Sequence, residues 1–354
     1  MTSRCVLRFL HQIVVLAPLA VAALLPTACG DGRTPVLVYS PHGRDLLAAL
    51  EKRYEALHPE IDVRWLDMGS QEVFDRVRSE RANPQADVWF GGPDAIFGHG
   101  AREGLLAPYA PEWAGALAPE SRGAGDLYFG CYRTLPVLVY NSAAVTDADA
   151  PRDWEDLLAP HWTGKIILRD PMASGTMRTM FAMVLAGSIA RTGQPAEGYA
   201  WLRRLDAQTK EYASNPALLF QKILRREGLV TVWELSDILL QQQRGVPLAF
   251  HLASSGTPVI NDAVALVKGA PHAAAAQAYI DWVGGREAQE IAARQAFKLP
   301  GRTDLDPTTL PDWAQRVLAE LKPIALDWAL VEREQPGWMA EWDRSVRGRG
   351  DPAR

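Results

Sequence analysis

The stretch IILRDPMASGTMRTMF (166–181) decides how the rest of the chain is read. Ile166, Ile167 and Leu168 form an apolar run with the length of a strand, and Asp170-Pro171 ends it. Ser174-Gly175-Thr176 makes a small-residue loop. Met177, Met180, Phe181, Val184 and Leu185 then recur on one helical face. A strand that delivers such a loop to a helix N-terminus makes an anion cradle. The first-turn N–H groups lack intrahelical acceptors, and the helix dipole is positive at that end. Ser174 and Thr176 add hydroxyl donors, and Gly175 is expected to let a ligand approach the backbone. An ordinary N-cap uses the same residue types, so the reading turns on the neighbouring segments.

Upstream, strand–loop–helix units follow one another. TPVLVYS (34–40) is a strand pattern that ends at Pro41-His42-Gly43, and Leu46, Leu47, Leu50, Tyr54 and Leu57 then sit at helical spacing until Pro59. Ile61, Val63 and Trp65 alternate as a second strand; Ser70 reads as the N-cap of the helix holding Val73, Phe74 and Val77. Residues 87–90 form a third strand, and Gly91-Gly92-Pro93-Asp94 opens another helix with Pro93 in its first turn. Three such units imply a parallel, doubly wound sheet with ligands at the carboxyl ends of its strands. The first lobe therefore offers loops 40–43, 69–70 and 91–94 on one rim.

YFGCYRTLPVLVYN (128–141) is long, nearly uncharged and interrupted by one Pro, which suits a crossing between two lobes. Beyond the opening stretch, Ser214-Asn215-Pro216 precedes a helix over 217–227. A strand over 229–233 leads to a loop at 234–237, and a helix and a strand follow. The second lobe thus presents its own rim: 174–176, Asn215 and 233–237. PVINDAVALV (258–267) returns as a strand, followed mainly by helices, the last around 338–346.

At 354 residues and 48% hydrophobic content, two domains are expected. Arg4 and Arg8 precede the apolar run 13–25, which is too short to span a bilayer, and Pro-Thr-Ala-Cys-Gly (26–30) follows, so residues 1–28 read as an export signal. Removing them takes away two positive charges, and the net charge moves from −5 to −7. An acidic body without a basic cluster argues against nucleic acid or an anionic membrane surface as partner. Cys131 is the one cysteine left in the body once Cys5 and Cys29 are assigned to the signal and its end, so no disulfide framework is expected. Its apolar-aromatic setting suits a buried, inert thiol. His99, His161, His251 and His272 lack metal-ligand spacing, and no metal or cofactor is expected.

Small residues before Cys29 resemble the lipobox of bacterial lipoproteins, with Pro26 where Leu is usual; the resemblance implies lipidation at Cys29 and membrane contact through that anchor only. Tyr39–Gly43 (YSPHG), NPQADVWFGG (83–92), EGLLAPY (103–109), LPVLVYN (135–141), RDPMASGT (169–176), NDAVALVKGAPHAAAAQAYIDW (261–282) and FKLPGRTD (297–304) occur in one order. This set resembles the solute-binding proteins of bacterial ABC importers, in the branch holding ferric-ion, phosphonate and sugar-phosphate binders. The resemblance implies an α/β, two-lobed periplasmic-binding-protein fold of type II-like form. Each lobe would be a doubly wound, mostly parallel sheet flanked by helices, with the ligand cleft between. Lobe 1 would comprise 34–132 and 259–354 and lobe 2 133–258, with crossings near 128–141 and 246–260. The partners implied are a small anionic solute, a membrane permease and its ATPase, with the binding protein itself an exported monomer in the periplasm or cell envelope.

Family residues carry over one by one. Ser174, Gly175 and Thr176 match the Ser-Gly-small triplet that holds phosphate or an anion in relatives, and Asn215 matches another anion contact. Ferric binders of the branch use a tyrosine pair, a carboxylate after the third strand and a His after the first. Here that region reads TVWELSD (231–237) without tyrosine, Gly92 stands at the carboxylate position, and His42 lies within one position of the expected His. Hard Fe³⁺ needs anionic oxygen ligands, so direct ferric binding is the alternative reading, not the first. On the first rim, Ser40 and His42 are turn residues or donors to a ligand, Ser70 caps and donates, Gly91 and Gly92 make a tight turn or face backbone N–H groups to the cleft, and Asp94 supports a helix N-terminus. Trp233 belongs to the core or walls the cleft. Glu234 would repel a bare phosphate and would suit a cationic amine on the same ligand, as in an aminoalkylphosphonate.

A secreted hydrolase is the competing class. MASGT is not a G-x-S-x-G elbow, and no His or acid is placed by sequence to activate Ser174. Thr163-Gly164-Lys165 lacks the rest of a P-loop, so the chain is not expected to hydrolyse nucleotide. A ligand sensor of the same fold is a third class.

Overall fold

A computed structural model describes residues 32–348, so the export signal and Cys29 lie outside the described residues. Residues 33–348 belong to a single unit. Among the described residues no helix is long and apolar enough to cross a membrane.

The first units form as the apolar periodicity predicts: β1 (Thr34–Ser40), α1 (Arg44–Leu57), β2 (Ile61–Asp67), α2 (Ser70–Ser79), β3 (Val88–Pro93) and α3 (Asp94–Arg102), followed by the two-residue β4 (Leu106–Ala107). β1 pairs in parallel with β2 and β3. Their runs are apolar on both faces because helices cover both. Val88 and Phe90 join the core under α1, while Trp89 between them joins the core under α2 and α3. β3 runs on through Gly91 and Gly92 to Pro93. Pro93 is therefore the N-cap of α3 and not a first-turn residue.

Residues 128–141 divide between two sheets. β5 (Phe129–Thr134) belongs to the first sheet and β6 (Pro136–Asn141) to the second, with Leu135 alone between them. The second sheet continues with β7 (Ile166–Arg169), α4 (Gly175–Thr192), α5 (Ala196–Gln208), β8 (Thr209–Ala213), α6 (Pro216–Leu224), β9 (Val230–Glu234), α7 (Leu235–Gln243) and β10 (Leu248–His251). Its order is β10-β6-β9-β7-β8, with β7 parallel to β8 and β9 and with β6 antiparallel to both its neighbours. The expected loop at 234–237 is absent, because α7 starts directly after β9. β8, too polar to stand out in the sequence, fills the sheet edge beside β7.

The chain returns through β11 (Thr257–Pro258) into β12 (Ile260–Val267), which lies antiparallel between β3 and β5. Next come α8 (Ala273–Val283), α9 (Arg286–Gln295), β13 (Leu299–Pro300) against β5, α10 (Asp312–Glu320), β14 (Pro323–Ile324) against β11, and α11 (Trp328–Ser345). α11 starts ten residues before the helix expected around 338–346 and does not stay with the first lobe. Trp338, Met339 and Trp342 join the second-sheet core, where the Trp342 ring meets Phe181 of α4 at 5.2 Å and Tyr212 of β8 at 5.1 Å. An apolar stripe of that width needs an apolar partner, and α4 supplies it.

Pro336 sits inside α11. It has no N–H, so the carbonyl of Glu332, four residues earlier, lacks its intrahelical donor. Arg102 of α3 donates from Nη2 to that carbonyl at 3.3 Å and also pairs with the Glu332 carboxylate. The N-terminal half of α11 therefore rests on α3, and the C-terminal half on α4.

Candidate functional site

A cavity of about 580 Å³ opens between the carboxyl ends of the two sheets. From the first lobe it is lined by the loop after β1, by the end of β2 and by the start of α2 (His42, Gly43, Asp67, Met68, Gly69, Ser70). From the second it is lined by Arg169, Ser174, Thr176, Asn215, Phe220, Trp233, Glu234 and Asp237. The N-termini of α2, α4 and α6 thus converge on one space, as the strand–loop–helix connectivity requires.

Seven of the twelve sequence-derived candidates face this cavity: His42, Ser70, Ser174, Thr176, Asn215, Trp233 and Glu234. Ser174 caps α4 by accepting from the Met177 N–H at 3.3 Å, and Asn215 caps α6 by accepting from the Leu218 N–H at 2.8 Å. Thr176 donates to Glu234 Oε1 at 2.5 Å. The Trp233 indole N–H donates to Asp237 at 2.7 Å, which fixes the ring as a wall. Ser70 is not the N-cap of α2; Gly69 holds that position, one residue earlier, and Ser70 begins the helix with its side chain in the seam between lobes.

The other five stand behind the cavity wall. Ser40 is fully buried and accepts from the His42 N–H at 3.1 Å, so its hydroxyl holds the turn. Gly91, at φ +99°, lies under the His42 ring: a Cβ there would meet Nε2 at 2.5 Å. Gly92 turns the chain beside Ser70, and Asp94 is buried against Asn261 at 3.3 Å, with its carboxyl pushed up to about 6 mainly by burial. Gly175 is not among the residues that line the cavity. A Cβ on it would lie 2.6 Å from Pro93 Cδ, so its missing side chain lets the second lobe touch the first. His42 packs edge-on against Phe90 and Tyr132, and burial holds its imidazole well below the ordinary value, hence neutral.

A buried positive charge on the cavity wall escaped the sequence reading. Arg169, the last residue of β7, is only 4% exposed. Nη1 donates to the Ala213 carbonyl at 3.1 Å, and Nε has no protein partner. Burial works against its charge, with Asp170 and Glu234 opposing that effect. The signal was present, an arginine at a strand end directly before the cradle, but Arg169-Asp170 looks like a solvated pair. In the fold Asp170 turns away and takes Arg347 at 2.5 Å. Asp67 was missed as well, and Asp237 ended the expected rim 233–237 without being named as a contact. Burial first, then Glu234, raises Asp237 to about 6, with Asp67 contributing and Lys298 opposing. Across the mouth of the cavity Arg244 of the second lobe pairs with Asp45 of the first at 2.6 Å. Among the described residues no group of three or more His, Cys, Asp or Glu side chains is placed to hold a metal ion.

Residues 36–298 match the family model described as bacterial extracellular solute-binding protein. The chain belongs to that family. It is 29% identical over 335 residues, 94% of this chain and 90% of the relative, to an ABC transporter periplasmic-binding protein, y4fP, named from Sinorhizobium fredii. A Salmonella typhimurium protein whose name assigns it to 2-aminoethylphosphonate is 28% identical over 255 residues, 70% of this chain and 72% of that one. The fold is similar to the periplasmic binding protein AfuA of Actinobacillus pleuropneumoniae with fructose-6-phosphate bound, at TM-score 0.78 and 22% identity over 90% of this chain and all of that one. Other relatives are named for iron uptake or Fe(3+) binding. Proteins of this family are non-enzymatic, exported components that hand small solutes to a permease and ATPase. The binding protein described here shares the two-lobed α/β fold and the cleft at the strand ends.

Proposed function

We propose that this binding protein captures a small anionic solute of the phosphonate or phosphate-ester class, and that the preferred solute also carries a cation. Arg169 carries the reading: a buried guanidinium on the cleft wall, with Nε unpartnered, set among the N-termini of α2, α4 and α6. An anion placed there would receive charge-assisted hydrogen bonds from Arg169 together with the hydroxyls of Ser174 and Ser70. Glu234, Asp237 and Asp67 stand on the same cavity and would repel a bare multivalent anion, whereas an ammonium on the same solute would neutralise them. This polarity favours an aminoalkylphosphonate over a sugar phosphate, and the name of the Salmonella relative agrees with it. Ferric ion is the weaker reading, because TVWELSD offers no tyrosine.

Thermal shift with 2-aminoethylphosphonate, methylphosphonate, inorganic phosphate, fructose-6-phosphate, 3-phosphoglycerate and ferric citrate tests it. A solute at a hundred times its Kd stabilises by about 2.7 kcal/mol. The expected order places 2-aminoethylphosphonate above methylphosphonate. A shift with ferric citrate alone, or with no anion, overturns the reading.

A further inference from the structure

Among the described residues, two of the ion pairs at the cleft join the lobes at different depths. Arg244–Asp45 lies at the mouth, with both side chains about half exposed, and pairs of that kind contribute little. The second lies at the crossing end and is buried. Lys298 directly precedes β13, which pairs with β5 of the first sheet. Its neighbour Phe297 has φ +52°, a left-handed conformation that non-glycine residues seldom adopt. The Lys298 side chain is 4% exposed, and its Nζ meets only second-lobe partners at close range: it donates to Ser236 Oγ of α7 at 3.2 Å and lies 3.7 Å from Glu234 Oε2 at the end of β9.

Around this ammonium stand Asp262 of β12, whose carboxylate accepts from the Thr134 hydroxyl on the outgoing crossing, and Asp237 of α7. Burial works against the lysine charge, but Glu234, Asp262 and Asp237 outweigh it and hold the ammonium above its ordinary value. Breaking a buried pair by removing one partner is destabilising, and Glu234 of the second lobe is the carboxylate in ion-pair contact with Lys298, with Asp262 and Asp237 farther off. Glu234 sits opposite Pro136 in the β6–β9 register, at the point where the chain crosses, and its other oxygen accepts from Thr176 of the cradle.

We propose that Lys298 is a positioning residue that ties the lobes: its ammonium, carried by the first lobe, holds Glu234 and through it the Thr176 end of the cradle in the arrangement where the lobes touch. The cradle end of this statement rests on the anionic-solute reading; the tie itself needs no solute.

The test therefore uses the solute-free protein. Spin labels on R64C in β2 and R203C in α5, both exposed and on different lobes, report the interlobe distance by pulsed electron resonance, with Cys29→Ser in the background and Cys131 buried. E234Q, which removes the carboxylate in direct contact with the ammonium and leaves Asp262 and Asp237 as its more distant counter-charges, should move the distribution to longer distances and lower the melting temperature. K298M should also lengthen it, and the double variant K298M/E234Q should melt above E234Q alone. Melting losses that add in the double variant, or an E234Q distance distribution identical to wild type, overturn the tie. Should K298M not fold, the E234Q distribution decides by itself. A failed tie leaves the solute panel unaffected, and a failed panel leaves the tie standing.

Discussion

The two walls of the cleft are built from the same strand–loop–helix unit, yet they work differently. On the first lobe, Ser40 holds the His42 turn, Gly91 makes room for the His42 ring, and Asp94 is taken by Asn261. That wall keeps most of its polar groups for its own loops and offers the cavity a neutral imidazole, a hydroxyl, backbone and the Asp67 carboxylate. The second lobe offers a buried guanidinium, two capped helix ends and a carboxylate floor. On the proposed anionic-solute reading the buried positive charge on the cavity wall comes from the second lobe alone, so damage to each wall should look different.

The largest expected effect is from Arg169→Met. Losing charge-assisted bonds to a buried anion should weaken the best phosphonate on the order of 100-fold or more by calorimetry. The melting temperature of the solute-free protein should hold or rise, because an incompletely partnered buried charge is replaced by an apolar side chain. Equal affinity in the variant would remove the second lobe's claim to the anion. Ser174→Ala should cost about 1 kcal/mol of affinity by loss of one hydroxyl donor, again selectively for anions. Gly175→Ala should act from the other side of the comparison. Its Cβ would press on Pro93, and overpacking of this kind costs about 1–3 kcal/mol, so every solute in the panel should weaken by a similar factor without a change in rank. A changed rank order would mean that Gly175 reads the solute after all.

The smallest effect expected is a pH dependence belonging to neither wall. Burial first, with Glu234 and Asp94 contributing against Lys298 and Thr134, raises Asp262 from about 3.8 to about 7. Between those values the folded state binds more protons than the unfolded state. This group's contribution to stability therefore falls as pH rises from about 4 to about 7 and is flat above that. Asp262→Asn removes the dependence. The melting temperature of the variant relative to wild type should be more favourable at pH 8 than at pH 5 by a few degrees; a gap that does not move with pH refutes the shifted carboxyl.

Much of this was legible in the chain. Two-faced apolar strands such as VWF (88–90) and the spacing of Leu46, Leu47 and Leu50 announce themselves, because periodicity is a local property. The cradle at 174–176 was legible for the same reason. Arg169, Asp67 and Asp237 were not, since nothing local distinguishes a charge at a strand end in water from one enclosed by a second lobe. Gly175 was read as room for a ligand and Gly91 as a tight turn or a backbone donor to the cleft, but the atoms that fill the space beside them come from Pro93, 82 positions upstream, and from His42, 49 positions upstream. β8 and the partner of α11 were hidden because their places are set by the edge of a sheet and by a helix distant in sequence.

The proline in α11 has a mechanical meaning. One half of that helix rests on α3 of the first lobe and the other on α4 of the second, and the joint between them is where the backbone ladder is already missing a rung. A straight helix in that position would be a rigid strut. With Pro336 it is a jointed link whose first-lobe end is fastened by one arginine, Arg102, to the very carbonyl the proline set free. If the lobes part, the link has two choices, to bend at residue 336 or to let go of Arg102, and both leave the second-lobe end seated on Trp342. The two lobes are thereby linked a second time from outside the cavity, by an element that contributes nothing to its lining.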